Sequence, residues 1–357
     1  AVLDSLAQGL ARLSVSSGPP LAVSTLRGEL ADNEEWKADP SRPAIVVGTI
    51  DMIGSKLLFS GYGDGRYKRA HHAGLIGHDT LMVHDEAHLT PAFSDLLQAV
   101  AAEQLREAQQ APATITARPV QVLELSATAR GDSDRIFALE PSDLGDAIVQ
   151  RRLTAPKQLR IHQPARDRLP PKPTRRQRDD WLLSRITELA SPAQAAQSKV
   201  LVYVQSPEHA QEIVKRLKAL LGSGEDQRVA LLTGTIRGYE RDLLVRENPV
   251  YRALLGSDVQ VEESVYLVST SAGEVGIDLD ADHMVCDLTT LDALIQRLGR
   301  VNRRGRPGLE SRIDVVTVPS EEDERSRFNE ARAATFGVLG DWTEEGTPQL
   351  LTCSDSR

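Results

Sequence analysis

The feature that most limits what this chain can fold into is a series of short apolar runs without polar alternation. AIVVGT (44–49), KVLVYVQS (199–206) and SVYLVSTS (264–271) each hold consecutive apolar side chains instead of one at every second position. Strands of that kind have to be covered on both faces. A parallel sheet between helices achieves this, and a hairpin sheet with one wet face does not. Helical stretches separate the runs: FSDLLQAVAAEQLREAQQ follows the run at 80–87, and PEHAQEIVKRLKALL, with Pro in its first turn, follows the run at 199–206. Repeated strand–helix–strand order predicts an α/β chain built on parallel sheets.

At 357 residues the chain has room for two domains of ordinary size. In the first, strands are expected at 20–26, 44–49, 80–87 and 119–128, with helices over 1–13, IDMIGSKLLF and the segment after residue 92. In the second, KQLRIH, 199–206, RVALLTG, 264–271, 283–289 and 312–319 read as strands, and LDALIQRLGRVNRR as a helix. Residues 162–180, HQPARDRLPPKPTRRQRDD, are rich in Pro and Arg without periodicity and read as an exposed connection. KQLRIH reads as the opening strand of the next unit, so the boundary is placed ahead of it. The expected organisation is 1–148, 149–320, and 321–357 as a polar tail or the start of a further region.

No apolar run approaches the roughly 18 residues of a membrane span. The first residues, AVLDSLAQGLARL, lack the basic region of a secretory leader. Cys286 and Cys353 are the two cysteines, too few for a cysteine zinc site, and a reduced, cytoplasmic setting is expected. The net charge of −9 speaks against a uniformly basic nucleic-acid coat but leaves a local basic groove open.

TLMVHDEAHLTPAF (80–93) closes an apolar run on Asp85-Glu86-Ala87-His88. Carboxylates at the carboxyl end of a buried parallel strand lie where open α/β sheets bind ligands. Asp85 there can hold a Mg2+ ion through water while the ion bridges nucleotide phosphates, and Glu86 can orient and deprotonate an attacking water. An acidic strand-to-loop turn is the plain alternative. One helix and one strand later, LSATAR puts Ser126 and Thr128 at another strand end, where hydroxyls can hydrogen-bond the acidic pair.

STSAGEVGIDL (269–279) carries Gly273 and Gly276, which let a backbone approach a ligand or another chain, with Glu274 and Asp278 placed to accept hydrogen bonds, for instance from a ribose. LIQRLGRVNRRG (294–305) is expected on a helix, where Gln296 with Arg300 and Arg300 with Arg303 share a face. Two guanidiniums on one face can clamp a γ-phosphate. A solvated basic helix end is the alternative.

These four elements occur in one order, on alternating strands of two consecutive α/β units. In that joint arrangement the chain resembles superfamily 2 helicases, whose ATP sits between two RecA-like domains. The resemblance implies a P-loop NTPase helicase core, its first domain N-terminally truncated, with ATP and Mg2+ as cofactors. It also implies Asp85, Glu86, His88, Ser126, Thr128, Gly273, Gly276, Asp278, Gln296, Arg300 and Arg303 as site residues, with His88 coupling the acidic box to Gln296.

A narrower likeness lies in STLRGELADNEEWKADPSRPAIVVGTIDMIGSKLLFSGYG, in VHDEAHLTPAF and in LIQRLGRVNRRG. Over residues 1 to about 320 the chain is similar to the helicase–nuclease of type I CRISPR interference systems, above all the I-U (I-G) branch. In that family a guide complex opens a target duplex, the motor loads on the displaced strand and runs 3′ to 5′ on ATP, and an HD nuclease domain cuts. Single-stranded DNA and an RNA-guided surveillance complex are the implied partners, with no membrane. Thr25, Arg27, Gly28, Thr49 and Asp51 match the family's first-domain strand-binding motifs. Thr235 and Arg237, in TGTIRGYERD, lie where the second domain meets the strand. GRYKRAHH (65–72) interleaves aromatic and basic residues, as a nucleic-acid clamp or as a solvated loop.

The chain departs from the family in two ways. No G-x-x-x-x-G-K-[ST] phosphate loop is present; in the family it precedes the region where this chain begins. No HD constellation is convincing either. His78-Asp79 and His84-Asp85 are His-Asp pairs, but the second belongs to the acidic box, and eight histidines leave few for a metal nuclease. The expectation is a motor fragment that does not hydrolyse ATP at a useful rate by itself. Another superfamily 2 DNA or RNA helicase and a non-catalytic nucleic-acid-binding remnant stand as rival readings.

Overall fold

Parallel pairing runs through both halves of the chain, as the continuous apolar runs require, and the two halves satisfy it differently. The structure, a computed structural model, describes residues 21–26, 34–110, 118–126, 136, 139–165, 168–191, 197–222, 226–234, 243–244, 246–256, 259–274, 277–318, 327–342 and 349–351. The chain divides into two units, Ala1–Phe137 and Ala138–Arg357. Helix Ala147–Leu153 spans the boundary drawn from sequence, and its N-cap Asp146 accepts hydrogen bonds from the Ile148 and Val149 backbone. The division between the units falls ahead of the whole helix.

In the first unit, β1 (Ala22–Leu26) pairs parallel with β2 (Ala44–Gly48), and β3 (Leu81–His84) pairs parallel with β4 (Gln121–Glu124). Leu26, Trp36, Ile53 and Ile76 form its core, with Met82 and Phe93 packed against them. Helix Ile50–Leu57 starts on Thr49, whose hydroxyl accepts a hydrogen bond from the Met52 backbone. Full burial of these strands was expected and is not found: Leu81, Val83, Leu123 and Leu125 are exposed. Val83 stands opposite Leu123 in the β3–β4 register, so the apolar side chains gather on one open face.

The second unit meets the expectation closely. β5 (Lys157–His162), β6 (Lys199–Tyr203), β7 (Val229–Leu232), β8 (Val265–Ser269), β9 (His283–Asp287) and β10 (Ser311–Val316) form a parallel sheet in the order β5-β10-β9-β6-β8-β7. Short β11 (Gln349–Leu351) adds to its β5 edge in the antiparallel sense. Alternate side chains feed two separate cores. Leu201, Tyr203, Leu267, Met284, Cys286, Ile313 and Val315 face one, with helices Pro249–Leu255 and Leu291–Leu298 supplying Tyr251, Leu254 and Leu294. Val200, Val202, Tyr266, Val268, Val285 and Val316 face the other, against Ile186 of helix Arg175–Ala190 and Ile213 and Leu217 of helix Pro207–Leu221. Side-chain caps start the helices: Thr174 in a capping box with Gln177, Ser206 before Pro207, and Asn248 before Pro249.

The segment read as a polar tail holds helix Arg327–Trp342, whose Phe336 and Leu339 reach the first of these cores. Its apolar residues do not gather on one helix face, which is why periodicity did not reveal it.

His283, at the start of β9, accepts a hydrogen bond at Nδ1 from the Arg312 backbone at 3.1 Å. Burial, reinforced by the Arg312 charge and opposed by Asp314, pushes its pKa down to about 4. The unfolded imidazole titrates near 6.5, so between those values the unfolded chain binds the extra proton. Stability from this group is therefore full above pH 6.5 and is lost as pH falls towards 4, by about 3 kcal/mol. Denaturant unfolding at neutral and acid pH checks this: the difference is expected to shrink in His283→Gln.

Candidate functional site

The acidic box is built on a buried peg. His84, the last residue of β3, lies edge-on to Phe93, with ring centroids 5.1 Å apart. Its Nε2 lies 2.9 Å from Thr90 Oγ1 and its Nδ1 3.1 Å from Ser94 Oγ. Burial holds this imidazole below its ordinary pKa. The strand expected to run to residue 87 stops here: Leu125 N donates to His84 O and Ala87 N donates to Leu125 O, so the pairing passes over Asp85 and Glu86. Asp85-Glu86 therefore form a tight turn. Glu86 has φ 52° and ψ 44°, a left-handed conformation that costs a non-glycine residue on the order of 1–3 kcal/mol.

That turn brings the expected residues of the first unit together. Asp85 is exposed, and its Oδ1 accepts the Glu86 backbone N–H at 3.1 Å. His88 Nδ1 lies 3.5 Å from Glu86 Oε2 and 3.2 Å from Ser126 Oγ. The hydroxyl expected to meet the acidic pair thus reaches it through His88. Among the described residues no group of three His, Cys, Asp or Glu could hold a metal ion. One exposed carboxylate beside Glu86 suits a Mg2+ ion that keeps most of its waters, and not a cation in an all-protein cage.

In the second unit, the arginine segment departs from the expected helix. The helix ends at Leu298, with Gly299 as its cap. Val301 then bridges in the parallel sense to Ala281, which pulls the chain off the helical path. Asn302 follows with φ 43°. Gly305, at φ 63°, could not carry a Cβ without striking the Arg151 carbonyl oxygen. Arg300 and Arg303 consequently do not share a helix face. Arg300 is buried, and its Nη2 donates to the Glu274 carbonyl at 2.6 Å. Arg303 is half-exposed and pairs with Asp278 at 3.0 Å. Gln296 stays on the helix, partly buried.

Sequence reasoning passed over the residue at the centre. Arg297 is 2% exposed and bonds Glu274 Oε1 at 2.8 Å and Asp287 Oδ1 at 3.0 Å. Its guanidinium lies 5.0 Å from the Tyr203 ring centroid. Burial alone would lower its pKa, but Asp287, Cys286 and Glu274 outweigh that and hold it above its ordinary value. Asp287 Oδ2 also accepts the Gln205 backbone N–H at 2.7 Å. Arg297 thereby ties the loops after β6, β8 and β9 together.

Glu274, read as a hydrogen-bond acceptor for a ribose, is spent on this pair. Gly273 serves its own loop: a Cβ there would sit 2.5 Å from Ser269 Oγ, and its carbonyl accepts the Tyr203 hydroxyl at 2.7 Å. Helical spacing held the clue to Arg297. It follows Leu294 by three residues, on the buried stripe, where an arginine needs an acidic partner.

Of the residues matched to strand-binding motifs, Thr25 lies within β1 opposite Val47. Thr49 caps helix Ile50–Leu57, and Asp51 is exposed in its first turn. Thr49 N also donates to Leu26 O, so β1 and the start of this helix are joined. Arg27, Gly28, Thr128, Thr235, Arg237 and Gly276 lie outside the described residues.

Residues 196–306 match the family model described as CRISPR-associated nuclease/helicase Cas3, C-terminal. The CRISPR-associated nuclease/helicase Cas3 of Haloferax volcanii is 33% identical over 104 residues, covering 28% of this chain and 10% of that protein. Two crystal structures of T. fusca Cas3 share the fold: the AMPPNP form with a TM-score of 0.57 at 17% identity, covering 98% of this chain and 43% of the other, and the ADP form with 0.54 at 16%, covering 98% and 44%. The DUF1998 helicase MrfA bound to DNA gives 0.53 at 15%, covering 94% and 41%. The chain spans about a tenth of the curated relative and less than half of each of these structural relatives. Residues 196–306 are thus similar to the C-terminal region of Cas3 proteins, and the chain shares its α/β fold with the Cas3 and MrfA structures.

Proposed function

We propose that this chain is the motor core of an ATP-driven translocase on single-stranded DNA, acting in type I CRISPR interference. The observation that carries the reading is the contact line Ser126–His88–Glu86, which links the second strand end of the first unit to the carboxylate suited to activate water. Asp85 would hold Mg2+ through water, and the ion when bound would neutralise phosphate charge. Glu86 would orient and deprotonate the attacking water. Arg300 and Arg303 are the groups for the γ-phosphate. Arg303 is the readier of the two, because its guanidinium is half-exposed while that of Arg300 is bonded to a backbone carbonyl. The residues in hand include no phosphate-gripping lysine loop, so turnover is proposed for the protein in which such a loop accompanies them.

The test is nucleotide hydrolysis by that protein with and without single-stranded DNA, in wild type and His88→Ala. Loss of the His88 link is expected to lower strand-stimulated turnover more than basal turnover. An equal effect on both would sink the coupling role. Stimulation by RNA but not DNA would move the assignment to another superfamily 2 motor.

A further inference from the structure

The loop between helix Ile50–Leu57 and helix Arg69–Gly77 is held too firmly at its base to be a loose solvated connection. Asp64, with its side chain 5% exposed, lies 2.9 Å from Lys56 Nζ and 2.9 Å from His72 Nδ1. Trp36 backs this cluster, 5.4 Å from the His72 ring and 5.9 Å from Lys56 Nζ. A Cβ on Gly61 would collide with Asp64 Oδ2, and Gly63 adopts φ 74°, so the turn needs its glycines. Phe59 is held at φ 57°, a strained conformation for an aromatic residue.

What this base displays is aromatic and cationic. Tyr67 is 96% exposed, Tyr62 66% and Phe59 59%. Arg66, Lys68 and Arg69 are exposed beside them. The one acidic residue between 58 and 71 is Asp64, and it is consumed in the base. The exposed ionic groups of the loop are therefore all basic, on a chain whose net charge is −9. Helix Arg69–Gly77 begins with Lys68 and Arg69 and has no acidic residue in its first turn. Cations at that end repel the helix dipole, and an anion there would relieve the repulsion.

We propose that this loop is a stacking platform for single-stranded nucleic acid, with Tyr67 and Tyr62 taking bases and Arg66, Lys68 and Arg69 taking the neighbouring phosphates. Flat rings without a donor–acceptor pattern accept any base, which suits a motor that must pass every sequence. The proposal rests on the strand-bound motor reading above and adds a contact outside the motifs matched there.

The test is binding of a labelled single-stranded DNA oligonucleotide to the 357-residue chain, followed by fluorescence anisotropy. Tyr67→Ala removes no packing, and its affinity is expected to fall by about 5- to 150-fold. An abasic oligonucleotide should bind wild type and Tyr67→Ala alike. Replacing Arg66, Lys68 and Arg69 with Gln should lower the salt slope of binding by about 2. If wild type binds and the loop variants bind equally well, the platform is wrong, the motor reading stands, and a protein partner becomes the reading of this surface. An equal loss on both oligonucleotides for Tyr67→Ala also overturns stacking. If wild type binds no strand, the motor reading itself fails and takes the platform with it.

Discussion

Glu86→Gln is expected to lower strand-stimulated ATP hydrolysis by about 10²–10⁴-fold while leaving nucleotide affinity nearly unchanged. The substitution keeps the size of the side chain and removes the basic oxygen. The turn that presents it should survive, because its shape is set by the His84 peg and by the pairing of Ala87 and Leu125 with their neighbours. Asp85→Asn should behave differently, since a carboxylate that holds a cation beside the phosphates contributes to binding as well as to rate. Nucleotide Kd and kcat measured on the same preparations separate the two roles. A Glu86→Gln variant with wild-type kcat would remove Glu86 from the chemistry.

Arg297→Leu is expected to destabilise the second unit by about 3–5 kcal/mol, since it leaves two buried carboxylates without their cation. Glu274 and Asp287 are each less than a tenth exposed. Arg297→Lys should recover little, because a single ammonium cannot reproduce the forked pairing to both acids. Adding Glu274→Gln and Asp287→Asn to Arg297→Leu should return part of the loss, since the uncompensated charge is then gone. Denaturant unfolding of the 357-residue chain followed by far-UV circular dichroism reads all three. A cost for Arg297→Leu of less than about 1 kcal/mol would mean the network is mere surface pairing.

The second unit was legible because its strands are buried on both faces, and continuous apolar runs announce such strands directly. The expected runs at 199–206, 264–271 and 283–289 reappear as β6, β8 and β9, each a little shorter than the run. The proximity of the first unit's motif residues was legible: Asp85, Glu86, His88 and Ser126 do meet. The shape of the arginine segment was not legible. A helix read through residue 304 overrides the stop signal of Gly299, which caps the helix after Leu298, and the bridge from Val301 to Ala281 then draws the chain away. A helix through residue 304 sets Arg300 on its marked face, whereas Arg297 continues the buried stripe from Leu294. The open face of β3 and β4 was not legible, since the apolar run at 80–87 calls for cover on both faces and Leu81, Val83, Leu123 and Leu125 are exposed.

The most direct measurement of the central claim is ATP turnover by the protein that carries this chain, assayed with single-stranded DNA present and absent, in wild type and Glu86→Gln. The motor reading predicts turnover that depends on the strand and collapses in the variant. Turnover indifferent to DNA, or persisting unchanged in Glu86→Gln, would contradict it.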